Sequence, residues 1–88
     1  MSDNNLVTDE VKKTITILTP IFKEVFDDDD LDIIYSTSAQ DVVGWDSLNH
    51  IRLVVTIEKT LNIRFTTDEI SNLKNVGEMA QLIIKKQA

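Results

Sequence analysis

Val11, Ile15, Leu18, Phe22 and Val25 follow one another at steps of three and four residues, the spacing that lines up one face of an α-helix. Thr8, ahead of Asp9 and Glu10, supplies an N-cap and acid for the first turn, so the first helix is predicted to start there. Pro20 removes one backbone hydrogen bond and crowds the preceding turn. A kink near Thr16 is expected, because the apolar phase continues across the proline; the alternative is a second segment capped by Thr19. The run Asp27 to Asp30 would repel itself along a helix, which ends the first one near Phe26.

A second helix is predicted from Ser47 to Leu61, and its apolar residues fall on two sides. At about 100° per residue, Leu53, Val54, Ile57 and Leu61 form a core-facing stripe, while Leu48, Ile51 and Val55 lie nearly opposite. The second group is either covered by the preceding loop or is a contact patch for partners, and the partner reading is preferred. Thr66 with Glu69, and Asn75 with Glu78, repeat the spacing of a capping box and mark two further starts. They predict a short third helix over 67–72 and a fourth over 76–86, with Val76, Met79, Ala80 and Ile83 inward and Lys85 and Lys86 at its C-terminal end.

Between the first two helices, residues 27–46 make a long connection for so small a domain. Leu31, Ile33, Ile34, Val42 and Val43 would each lose about 1.5–3 kcal/mol of burial if left in water, so this loop is expected to lie across the bundle and deliver residues 44–47 to the surface. The pattern as a whole predicts one all-α domain over 1–88, a four-helix bundle with a short third helix, and a frayed stretch at 1–7. Two glycines, one proline and no sustained alternation of β-branched residues agree with it.

Composition adds exclusions. No stretch reaches the roughly 20 apolar residues of a membrane span, and 1–5 lacks the regions of a secretory signal, so a cytoplasmic protein is expected. Without cysteine there is no disulfide, thiolate metal site or intrinsic thiol nucleophile, and any thiol chemistry must come from an attached group. Residues 1–46 hold eleven Asp or Glu against three Lys, a balance of −8, whereas 47–88 hold four against six Lys or Arg, +2. That distribution argues against a nucleic-acid partner and fits partners with basic patches, or simply a solvated acidic loop. The aspartate run lacks the Gly turn and terminal Glu of a calcium loop, so no metal site is assigned.

The candidate chemistry sits at Ser47, in the first turn of the second helix, where unpaired N–H groups and the helix dipole favour a phosphate ester. Taken alone, Asp46 and Ser47 are an ordinary N-cap. Gly44-Trp45-Asp46-Ser47-Leu48, however, resembles the attachment motif of acyl carrier proteins, and the resemblance extends over roughly residues 10–86 in element order and apolar spacing. It implies that a phosphopantetheinyl transferase moves 4'-phosphopantetheine from coenzyme A to Ser47, that Asp46 lies near magnesium and phosphates during transfer, and that Leu48 meets partner enzymes. It also implies a non-catalytic carrier that holds acyl groups as thioesters, is passed between acyl-loading and acyl-processing enzymes and works best as a monomer. His50, on the inner face near the arm, either lines a cargo cavity or is a satisfied residue at the core edge; the latter is preferred.

Where carriers central to fatty-acid synthesis have acidic residues along this helix, the chain has Asn49, Arg52 and Lys59, with Glu58 the main acid left. Leu48, Ile51, Arg52 and Val55 are the candidate partner-binding residues, and the sign change at Arg52 points to a specialised lipid or polyketide-type pathway. Trp45 replaces a usual small residue and is expected to pack across the helix start. Alternatives are an aminoacyl or peptidyl carrier on the same fold, or a helical adaptor in which Asp46 and Ser47 are only a cap. A catalytic Ser47–His50 pair would lack an orienting third group.

Overall fold

A computed structural model describes residues 8–87, so the expected fraying of 1–7 lies outside the described residues. It contains α1 (Asp9–Val25), a one-turn 3-10 helix (Ala39–Asp41), α2 (Ser47–Leu61), α3 (Thr67–Ser71) and α4 (Val76–Gln87). The Thr8 hydroxyl accepts from the Val11 N–H, as its position predicts, and α1 continues unbroken through Pro20 rather than restarting at Thr19. Its buried face is broader than the apolar spacing alone indicates. Thr14 and Ile21 are buried with Val11, Leu18, Phe22 and Val25, and the Thr14 hydroxyl is satisfied by the Glu10 carbonyl.

Charge repulsion is only part of what ends α1. Asp27 takes the left-handed conformation (φ 51°), the Asp28 N–H returns to the Lys23 carbonyl and the Asp27 N–H to the Glu24 carbonyl, the Schellman arrangement. Asn62 (φ 57°) also ends α2 in the left-handed conformation, but there its own N–H and that of Ile63 both donate to the Glu58 carbonyl. The capping box at Thr66 and Glu69 starts α3 as predicted, and the Asn75 side chain accepts from the Glu78 N–H at the start of α4.

α1 packs against both α2 and α4. Leu18, Phe22, Leu53, Ile57, Met79 and Ile83 are fully buried between them, each from an apolar stripe visible in the sequence. The 26–46 connection lies across this bundle, but not with all five of its predicted apolar contacts. Ile33 and Val42 are buried and Leu31 is half-buried against the core, whereas Ile34 is 62% and Val43 97% exposed. In a turn or extended backbone, neighbours point opposite ways, so Ile33 and Ile34 cannot both face inward. Val43 is the second residue of a turn closed by the Trp45 N–H on the Val42 carbonyl, with Gly44 next at φ +88°, a type II turn whose corner points to solvent.

The connection also supplies hydrogen bonds that α4 cannot make for itself. A helix start leaves four N–H groups without intrahelical partners, and here the Val76 and Gly77 N–H groups donate to the Thr37 and Tyr35 carbonyls, both at 2.8 Å. Thr37 is buried, and its hydroxyl accepts from the Ile34 N–H at 2.9 Å. This close approach explains Gly77, because a Cβ there would overlap the Tyr35 ring. The Gln81 amide in turn donates to the Tyr35 hydroxyl at 2.7 Å.

Candidate functional site

The local hydrogen bonds of the 44–49 segment set its geometry. The Asp46 N–H donates to the Gly44 carbonyl at 2.9 Å, Asp46 Oδ1 accepts from the Asn49 N–H at 2.9 Å, and Asn49 Nδ2 reaches back to the Gly44 carbonyl at 2.7 Å. Asp46 is thus the N-cap and Ser47 the first residue of α2, both exposed. The first N–H groups of this fifteen-residue helix point toward Ser47 with their partial positive charge.

Trp45 pins this segment to the bundle. Its indole is buried edge-on to Phe22 (centroids 5.3 Å, interplanar angle 78°) and 6.0 Å from Phe26, so it packs as predicted. Its Nε1–H donates to His50 Nδ1 at 2.9 Å, and the two rings stack at 6.0 Å. Because an indole N–H only donates, His50 Nδ1 must be the acceptor and Nε2 the protonated nitrogen, which donates to the Ile70 carbonyl at 3.0 Å. His50 is therefore a satisfied residue that ties the start of α2 to the end of α3.

That tie forms one wall of an open cleft of about 560 Å³ beside Ser47. Trp45, Asp46, Ser47, His50 and Ile51 line one side; Ile70, Ser71, Leu73 and Lys74 come from α3 and the segment after it. His50 lines this cleft and both its ring nitrogens are satisfied, which bears out the preferred reading of a satisfied residue at the core edge. Ile70, Ser71, Leu73 and Lys74 were not identifiable from the sequence as neighbours of Ser47. The capping box at Thr66 locates α3 along the chain, but only the packed structure turns it toward α2.

Leu48, Ile51 and Val55 are 70%, 49% and 39% exposed, so the connection does not cover them. Arg52, also exposed, donates through Nη1 to Asn49 Oδ1 at 3.2 Å. Glu58 has less freedom than its sequence position implies, since Oε2 accepts from the Phe65 N–H at 2.8 Å. Across the bundle, Glu69 pairs with Lys86 at 2.8 Å and accepts from the Thr66 N–H. The Lys86 ammonium, and then the Thr66 N–H, hold its carboxyl below the ordinary carboxylate value. Among the described residues no group of three or more His, Asp or Glu could hold a metal ion, and no helix is long and apolar enough to cross a membrane.

Among the described residues, four α-helices in this order place an exposed serine at the start of the second, beside an open cleft. The family model described as the phosphopantetheine attachment site matches residues 16–83. The holo acyl carrier protein of Geobacter metallireducens, solved in solution by NMR, is 47% identical and superposes with a TM-score of 0.80, covering 84% of this chain and 85% of that one. No curated protein matches the chain. The chain belongs to the acyl carrier protein family, non-catalytic carriers with covalently bound 4'-phosphopantetheine.

Proposed function

We propose that Ser47 carries the phosphopantetheine arm and that the protein presents acyl groups on it to a succession of partner enzymes. The observation that carries this reading is the placement of Ser47, exposed on the first turn of α2 and opening onto the cleft. A phosphodiester on its Oγ would sit in the positive field of the helix start, with Lys74 lining the same cleft. When attached, the arm supplies the thiol on which cargo is held as a thioester. The residues of this chain anchor the arm, keep the helix start rigid through Trp45 and Asn49, and offer an apolar wall of Ile51, Ile70 and Leu73. Tethering raises the effective concentration of the cargo at each enzyme.

Asp46 caps α2 through Oδ1 only, and its exposed carboxylate is suited to stand by the magnesium and phosphates during loading. Leu48, Ile51, Arg52 and Val55 form the partner face. The cationic Arg52 supports a dedicated lipid or polyketide-type pathway, served by a monomer in the cytoplasm.

The test is intact mass after incubation with coenzyme A, magnesium and a broad-specificity phosphopantetheinyl transferase. The parent chain is expected to gain one phosphopantetheine and Ser47→Ala none. A folded, initially unmodified parent that gains nothing, or an equal gain in the variant, would remove Ser47 from this role.

A further inference from the structure

Successive positions of a helix rotate by about 100°, which puts Leu48, Ile51, Arg52, Val55 and Lys59 within one narrow sector of α2, with Arg52 one turn after Leu48 and Lys59 one turn after Val55. The opposite side holds buried Leu53, Val54 and Ile57. Every charge in the outward sector is positive. Glu58 lies to its flank with Oε2 held by the Phe65 N–H, and Arg52 is oriented beside Leu48 by its bond to Asn49.

Beyond Val55 the same side ends in a groove of about 340 Å³, lined by Val55, Glu58, Lys59, Asn62, Ile63 and Arg64. Arg64 and Lys59 are exposed there. The face is conspicuous because residues 1–46 carry a balance of −8. We propose that this side of α2 docks onto a partner enzyme whose own docking surface is an apolar pocket rimmed by carboxylates; the proposal rests on the carrier reading above.

The chemistry selects that occupant. Leu48, Ile51 and Val55 favour an apolar pocket, and the guanidinium groups of Arg52 and Arg64 match carboxylates in a two-pronged geometry that an amide or hydroxyl cannot equal. A partner with a basic rim would set like charges against Arg52 and Lys59. An anionic bilayer is the weaker match, since the apolar stripe from Leu48 to Val55 is only about 10 Å long by helical rise, and the chain is −6 overall.

The test separates docking from loading. One phosphopantetheinyl transferase is prepared in two forms, with its docking surface basic or with those basic residues replaced by glutamate. Binding of each to the full chain carrying Ser47→Ala is measured by calorimetry. The acidic form is expected to bind about tenfold more tightly than the basic one, and Arg52→Glu/Lys59→Glu/Arg64→Glu, its helicity checked by circular dichroism, to reverse that preference. Equal affinities, tighter binding of the basic form, or binding of neither would overturn the proposal. So would binding to phosphatidylserine vesicles that the triple variant loses, which would give the face to a bilayer. Loading at Ser47 is read separately by mass, so a failure of the carrier reading and a failure of the docking proposal are distinguishable.

Discussion

Trp45 and His50 show how much one residue pair contributes to the site. Trp45 closes the aromatic cluster with Phe22 and Phe26, and its indole N–H donates to His50, whose other nitrogen reaches Ile70. Replacing His50 by Phe preserves a flat ring but leaves the Trp45 Nε1–H and the Ile70 carbonyl without this partner. Stability is expected to fall by about 1–3 kcal/mol. Trp45 is the sole tryptophan, so urea unfolding followed by its emission reads both the lost stability and any red shift of the folded state. An unchanged midpoint would mean that water replaces the imidazole without cost. The sequence suggested a Trp45 packed across the helix start and a satisfied His50 at the core edge. It did not indicate their mutual bond.

At the scale of an element, α3 is the most dependent on its neighbours. Five residues are too few for an independent helix, so its persistence rests on the Thr66 capping box, the His50 tie and the Glu69–Lys86 pair. Lys86, which also lies 5.6 Å over the Phe65 ring, joins the end of α4 to the start of α3. Because the folded pKa of Glu69 is depressed, its contribution is present above the unfolded value and is lost as pH falls through the folded one. The urea midpoint of the parent is therefore expected to drop more below about pH 4.5 than that of Glu69→Gln. Comparing the two chains cancels the effects of the other carboxylates. Parallel curves would show that the pair is too well solvated to matter.

For the molecule as a whole, the 26–46 connection is a structural member as much as a link. Its Thr37 and Tyr35 carbonyls take the first N–H groups of α4, and the Tyr35 ring occupies the space that a side chain at position 77 would need. Gly77→Ala is expected to cost about 1–3 kcal/mol through overlap, despite the better helix propensity of Ala. In a Tyr35→Ala background the same change should become neutral or stabilising, by up to about 1 kcal/mol. A double-mutant cycle in urea measures this reversal of sign. Equal effects in both backgrounds would mean that the connection moves aside freely.

Residue order is enough to set the four helices, their caps at Thr8, Asp46, Thr66 and Asn75, the buried faces of α2 and α4, and the position of Ser47 at a helix start. Those features arise from hydrogen bonds and periodicities within about one helical turn. Packing of the bundle, in contrast, selects which connection residues are buried, explains why position 77 is glycine, and sets which residues face Ser47 across the cleft. The bonds responsible join residues 20 positions apart at His50 and Ile70, and 46 apart at Tyr35 and Gln81. Local pattern carries no information on such pairings, because the energy that selects them exists only once the bundle has brought both partners together.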